Sequence, residues 1–146
     1  MEFEYKYTQD GVNWDELSEL YRRAPLGNKT AIQLETFFSN SMFKCFAWSD
    51  TGLIAAGRAL ADGADCSYIC DVAVLPEYQG KSIGSHLISY LLKMSEGHNK
   101  VILYASPGRE PVYKKMGFKP MKTALAIFKN QTQAIEMDLL SEERES

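Results

Sequence analysis

The sequence predicts an α+β (mixed α/β) fold in a single domain. The expected core is a central, mostly antiparallel twisted sheet of about six to seven strands flanked by about four helices. Three observations carry this. The apolar period changes along the chain, alternating every second residue in some segments and every three to four in others. Gly, Pro and Asp clusters cut the middle into short strand-length runs. The 146 residues show no internal repeat and no low-complexity linker, and this length suits one domain of about 100–200 residues. Residues 1–141 are expected to form that domain, with 142–146 as a frayed tail.

The elements follow in order. Phe3, Tyr5 and Tyr7 alternate with Glu4, Lys6 and Thr8, the pattern of a half-buried strand. Asn13 offers an N-cap with Glu16 three residues on, as in a capping box, and a helix follows through Leu17, Leu20 and Tyr21. Thr30 caps a second short helix in which Ile32, Leu34, Phe37 and Phe38 are expected to make apolar contacts. Phe43 to Trp48, Leu53 to Leu60 and Tyr68 to Leu75 read as three antiparallel strands joined by the turns Ser49–Gly52 and Asp62–Asp65. Ile83, Leu87, Ile88, Leu91 and Leu92 share one face of a helix. Val101 to Ala105 is a short strand, Glu110 to Met116 a short helix, and Phe118 to Phe128 a last strand pair.

Composition narrows the function. The chain is 45% hydrophobic and 24% charged, which is ordinary for a globular protein. Lys and Arg number 16 against 19 Asp and Glu, a net charge of −3. No basic stripe is visible, which argues against a nucleic-acid partner. No apolar run approaches the roughly 18 residues of a membrane span. Residues 1–10 alternate rather than form an apolar signal core, so the protein is expected to be cytoplasmic. Cys45, Cys66 and Cys70 are odd in number and lack a second ligand pair for zinc. They read as small buried hydrophobes, and no metal is expected.

The most informative segment runs from Val72 to Ser85 (Val-Ala-Val-Leu-Pro-Glu-Tyr-Gln-Gly-Lys-Ser-Ile-Gly-Ser). It leads from a strand through a Gly-containing turn into an amphipathic helix. The start of that helix presents unpaired N–H groups and a positive dipole end, which suit a phosphate. Gly80 and Gly84 let the backbone come close to such a ligand, and Lys81 adds charge. Gly80-Lys81-Ser82 matches the end of a Walker A loop, but residue 75 is Leu where that motif needs Gly. A tight strand-to-helix turn with no ligand is the plain alternative.

This segment resembles the acetyl-CoA signature of the GNAT superfamily of N-acetyltransferases, a Gln/Arg-x-x-Gly-x-Gly/Ala loop that holds the pyrophosphate. Here it reads Gln79-Gly80-Lys81-Ser82-Ile83-Gly84, with Ser82 standing where the family normally has Gly. At positive φ the Ser82 Cβ would crowd the pyrophosphate; at negative φ its hydroxyl could donate. A second stretch, Tyr104 to Phe118, is similar to the family's later signature, a strand followed by Phe/Tyr-Tyr-x-Lys-x-Gly-Phe. The resemblance covers about Leu53 to Phe128, and within the family it looks nearest a small bacterial arylalkylamine-type branch.

The resemblance implies an acetyl-CoA-dependent N-acetyltransferase acting on a primary amine by direct transfer in a ternary complex. Acetyl-CoA is the cosubstrate. Main-chain groups of Val72, Ala73 and Val74 would bind the pantetheine arm and thioester carbonyl. Gln79, Gly80, Lys81, Ser82, Ile83, Gly84 and Ser85 would hold the pyrophosphate. Ser106 falls where many members carry a pantetheine-binding Asn. Tyr113 matches the family's general acid beside the sulfur, since a phenol of pKa about 10 stays protonated at pH 7. For the base, Asp71 is a candidate beside the thioester site, with a hydrogen-bonded structural role equally open; Glu35 and water are the others. Tyr21, Leu26, Phe37, Phe38 and Tyr68 could line an acceptor pocket, and the acidic pI leans toward a small arylalkylamine or polyamine. The expected partners are thus a small-molecule amine, no nucleic acid and no membrane. A homodimer through the C-terminal strands and Gln131 to Leu140 is a further expectation. Two rivals remain, a non-catalytic acyl-CoA sensor or regulatory module and a protein or peptide N-acetyltransferase.

Overall fold

The structure, a computed structural model, describes residues 3–142. The expected tail at 142–146 falls, beyond Glu142, outside the described residues. Two compact units divide the chain, Met1–Leu103 and Tyr104–Ser146.

The first unit holds one five-stranded sheet in the order β1-β2-β3-β4-β5. Its elements are β1 (Glu4–Lys6), α1 (Trp14–Arg23), α2 (Ala31–Ser39), β2 (Phe43–Ser49), β3 (Gly52–Ala61), β4 (Cys66–Val74), a single 3-10 turn at Pro76–Tyr78, α3 (Ile83–Met94) and β5 (Lys100–Ile102). Neighbouring strands from β1 to β4 pair antiparallel, and β4 pairs parallel with β5. A parallel neighbour needs a crossover, and α3 supplies it.

Alternation sorts the sheet's side chains to two faces. Phe46, Ala56 and Ala73 join Leu17, Leu20, Tyr21, Leu34 and Phe38 of α1 and α2 in one core. On the other face, Gly57 and Cys45 lie against Leu91 and Leu87 of α3. The helix starts follow the sequence with one difference. Asn13 accepts from the N–H groups of Asp15 and Glu16, but Glu16 does not close the box; its Oε2 accepts from Leu53 N–H at 3.3 Å and ties α1 to β3. Thr30 and Gln33 form the complete reciprocal cap of α2. Ile32, expected in the core, is 80% exposed, because Leu34 and Phe38 define the buried face of this short helix.

The second unit contains α4 (Glu110–Lys115) and α5 (Gln131–Glu136). The expected strand pair at Phe118–Phe128 is absent; the segment forms no strand. Alternation fixes sidedness only, whereas a strand needs a ladder partner, and Pro120 removes a donor. Among the described residues the sheet therefore has five strands rather than six or seven. Helix α5 was not expected from the sequence. Asn130 caps it by accepting from Gln133 N–H, and Ala134 O receives Leu139 and Leu140 N–H groups beyond a left-handed Asp138, a C-terminal closure of the kind that ends helices. No helix among the described residues is long and apolar enough to cross a membrane.

Candidate active site

The ladder between β4 and β5 is short. It ends at Tyr68 opposite Ile102, while β4 continues to Val74. From Ile69 onward one edge of β4 has no strand beside it among the described residues. Leu75 N–H donates to Ile54 O of β3 at 2.9 Å. Backbone groups of successive residues point to opposite edges of a strand, so Ala73 faces β3 and Val72 and Val74 face the free edge. Val74 O accepts from Gln79 Nε2 at 3.1 Å. That bond folds the start of the next loop back onto the strand.

The parity of this edge is set by a bulge. Ala56 lies opposite Ala73, but Arg58 lies opposite Cys70, so Asp71 and Val72 together oppose Gly57. Asp71 takes φ of +55°, a left-handed conformation usually given to Gly in such bulges. As a result Val72 turns toward α3; a Cβ on Gly57 would sit 3.2 Å from Val72 Cγ2. Gly57 is there because the bulge fills the space above it.

Asp71 is heavily tied. Its carbonyl accepts from the Tyr21 hydroxyl at 2.6 Å. Its carboxylate Oδ2 accepts from Arg58 Nε at 2.9 Å and faces Nη2 at the same distance, and Lys29 Nζ stands 3.9 Å from Oδ1. Arg58 also donates to Ser41 Oγ at 3.3 Å and stacks over Phe37 at 5.0 Å. Burial lifts the Tyr21 phenol well above its ordinary value, with the Asp71 charge adding to the effect and Arg58 opposing it. Tyr21 therefore remains a donor. Of the two roles open to Asp71, the geometry favours the structural one, since its lone pairs are engaged by neighbouring cations.

The strand runs through Pro76–Tyr78 into the loop before α3. Gly80 has φ of +81°, and a Cβ built there would meet nothing within 4 Å. Ser82 is also left-handed, at φ +65°. It occupies the N-cap of α3, yet its side chain makes no cap bond. The first helical bond runs from His86 N–H to Ser82 O at 3.1 Å, so the N–H groups of Ile83, Gly84 and Ser85 precede the ladder. Gly84 lies close to the strand, with space for a Cβ 3.5 Å from Val74 Cγ2. Lys81 is exposed. Glu77, the acidic side chain of this loop, is paired through both oxygens with Arg23 at 2.8 Å, and that bond holds its carboxyl below the usual range. The loop thus offers open space at Gly80, helix-start amides and a helix dipole, which fit a pyrophosphate, while the positive φ of Ser82 is the conformation in which its Cβ crowds that group.

The structure brings Val72, Ala73 and Val74 together with Gln79 to Ser85 in the first unit. Ser106 and Tyr113 belong to the second. There Ser106 O accepts from Arg109 N–H at 2.9 Å at the start of α4. Tyr113 is half-buried, edge-on to Phe118 at 6.1 Å. Burial raises its phenol above the ordinary value, with Arg109 pulling the other way. Glu35 lies on the exposed side of α2. Tyr21 and Phe38 are fully buried and cannot form a pocket wall. Cys70 is pushed up to about 11, chiefly by burial, and is no thiolate nucleophile at neutral pH. Sequence reasoning missed Arg58 and Lys29. Arg58 had a visible signal, a lone charge inside the apolar run Leu53–Leu60.

A family model described as the acetyltransferase (GNAT) domain matches residues 7–141. Among curated relatives, the chain is 29% identical over 109 residues to an uncharacterized N-acetyltransferase (ycf52-like) of Prochlorococcus marinus, covering 70% of this chain and 61% of that protein. It is 35% identical over 85 residues to a glucosamine 6-phosphate N-acetyltransferase of Trypanosoma brucei brucei, covering 52% of this chain and 58% of that one. The matches thus span less than two thirds of these relatives' lengths. Among solved structures, a probable acetyltransferase from Staphylococcus aureus superposes with a TM-score of 0.78 at 27% identity, covering 88% of this chain and 99% of that one. The family match reaches from the end of β1 past α5, and the splayed strand with its uncapped helix lies within it: the chain belongs to the GNAT acetyltransferase family.

Proposed function

We propose that this protein is an acetyl-CoA-dependent N-acetyltransferase that transfers the acetyl group directly to a primary amine. The observation that carries this is the continuity of a free strand edge at Val72 and Val74 with the uncapped N-terminus of α3. A ligand with a peptide-like arm and a pyrophosphate needs both in that order. Acetyl-CoA supplies an activated acyl group; the N–C bond forms as the C–S bond breaks. Backbone groups of Val72 and Val74 hold the arm and the thioester carbonyl, where negative charge develops, while Ala73, expected to share that role, keeps its backbone groups toward β3. Gln79 closes the loop onto the strand, and Gly80, Lys81, Ser82, Ile83, Gly84 and Ser85 hold the pyrophosphate.

The proton of the attacking amine leaves through water, and Tyr113 returns one to the CoA thiolate. Burial raises its pKa above the ordinary tyrosine value, so the phenol is protonated at neutral pH. We assign Ser106 to the pantetheine and Asp71 to the frame of the site. Residues 1–141 are read as a single acetyltransferase domain, supported by a family match over residues 7–141.

The acidic pI favours an arylalkylamine or polyamine acceptor, but the charges beside the bulge point elsewhere. Lys29 and Arg58, both mostly buried, stand against the single carboxylate of Asp71. This excess of positive charge favours a primary amine that also carries a carboxylate or phosphate. The phosphorylated amino sugar named for the trypanosomal relative has that chemistry. Leu125 and Ile127, more than nine-tenths exposed, support the homodimer, which sedimentation velocity decides.

The test is product detection by mass spectrometry with acetyl-CoA and a panel of arylalkylamines, polyamines, amino acids, amino-sugar phosphates and short peptides. Acetylation of an acid-bearing amine well above the no-enzyme rate supports this reading, and acetylation of polyamines alone would remove the acid-group requirement. Tyr113→Phe is expected to lower kcat about 100-fold with KM little changed. If acetyl-CoA binds and no acceptor is turned over, the sensor reading takes its place.

A further inference from the structure

We infer that Tyr21 is a positioning residue that holds the β4 bulge in the register acetyl transfer requires; this rests on the function proposed above. The bulge decides which residues meet the free edge. Were β4 regular beyond Cys70, its parity would shift by one residue. Val72 and Val74 would turn to the α1–α2 face, and the backbone groups offered to the free edge would be those of Ala73. The bulge requires left-handed backbone at Asp71, φ +55°, which a side chain with a Cβ resists. Something must hold it there.

The structure shows what does. The Tyr21 hydroxyl reaches from α1, whose Tyr21 is 0% exposed, to the carbonyl of Asp71 itself at 2.6 Å. Arg58, from the strand opposite the bulge, takes the carboxylate at 2.9 Å, and Ser41 at the end of α2 accepts from the same guanidinium at 3.3 Å. Lys29, after α1, closes from the remaining side at 3.9 Å. The bulge is thus gripped at its backbone and at its side chain from α1, the α1–α2 connection, β3 and the end of α2. The Tyr21 bond is the one that acts on the backbone directly. Its removal frees the Asp71 carbonyl to rotate with the peptide that carries the Val72 N–H.

The effect should appear in turnover more than in cofactor affinity, because the pyrophosphate loop lies beyond Val74 and is closed by Gln79. Tyr21→Phe keeps the ring and removes the hydroxyl. It should lower kcat about 10- to 100-fold, the scale of a small misplacement of reacting groups, while KM for acetyl-CoA moves less than about twofold. The decisive variant is Asp71→Gly. Glycine holds left-handed backbone without help, so in an Asp71→Gly background Tyr21→Phe should cost little further activity. The one-bond Cα–Hα coupling of Asp71, which separates positive from negative φ, should change in Tyr21→Phe.

An unchanged kcat in Tyr21→Phe overturns the inference. So do parallel losses in kcat and KM with no rescue by Asp71→Gly, which mark a purely stabilising role. Should Tyr21→Phe fold poorly, the comparison of Asp71→Gly with the double variant carries the same test. Should the wild type turn over no amine, the function proposed above fails. The coupling at Asp71 still judges the brace: if it is unmoved in Tyr21→Phe, Tyr21 does not hold the bulge.

Discussion

Asp71 and Ser82 are both left-handed without being glycine, at φ +55° and +65°, and they are supported in opposite ways. Asp71 is gripped through its carbonyl by Tyr21 and through its carboxylate by Arg58 and Lys29. Ser82 makes no cap bond to the helix it begins. Each conformation costs on the order of 1–2 kcal/mol for an ordinary residue. At Asp71 the chain offsets that cost itself. At Ser82 it does not, and the amides of the next three residues precede the helical ladder. A conformation braced within the protein is fixed by its own contacts; one without such contacts is the natural place to test for a ligand.

The largest effect should come from removing the brace. Asp71→Ala leaves Arg58 mostly buried without its carboxylate and is expected to lower stability by about 2–3 kcal/mol, read from urea unfolding. A loss near zero would mean the ion pair adds nothing and would erase the contrast with Ser82. Ser82→Gly should act the other way. No side-chain bond is lost and the left-handed strain is relieved, so stability should rise by about 1 kcal/mol and acetyl-CoA should bind more tightly. A loss of stability would show that the Ser82 hydroxyl has a partner in solution.

The smallest effect concerns a loop braced by an exposed charge. Asp62, in the β3–β4 turn, accepts through Oδ1 from Asp65, Ala64 and Cys66 N–H at 2.7, 2.9 and 3.2 Å, which pull its carboxyl down to about 2. The folded value lies below the unfolded one of about 3.9. Its contribution is therefore complete above about pH 4 and is lost as pH falls toward 2. Asp62→Asn keeps the acceptor oxygen and should flatten that part of the pH–stability curve.

Most of the frame was legible. Asn13 and Thr30 announced two helices, the Ser49–Gly52 and Asp62–Asp65 turns fixed two hairpins, and the face of α3 was readable from Ile83, Leu87 and Leu91. The residue types of the Gln79–Gly84 loop suit a phosphate or a ligand-free turn alike, and the choice between them came from the family resemblance. The bulge was not legible. Alternation correctly separates Asp71 and Ala73 from Val72 and Val74, but it cannot reveal that Cys70 shares a face with Asp71, because an extra residue leaves no mark on composition. Tyr21 read as a pocket wall because burial of a tyrosine says nothing about where its hydroxyl points. The strands expected at Phe118–Phe128 failed for a related reason: a strand belongs to a pair, and Leu125 and Ile127 show sidedness without naming a partner.

The most direct measurement is a titration of the ¹⁵N-labelled protein with acetyl-CoA, followed by amide chemical shifts. The amides of Val72 to Val74 and Gly80 to Ser85 should move first and furthest, with Ser82 to Ser85 losing exchange with solvent. Saturable binding that leaves those amides unmoved, or no binding at millimolar acetyl-CoA, would contradict the assignment of this strand edge and helix start as the cofactor site.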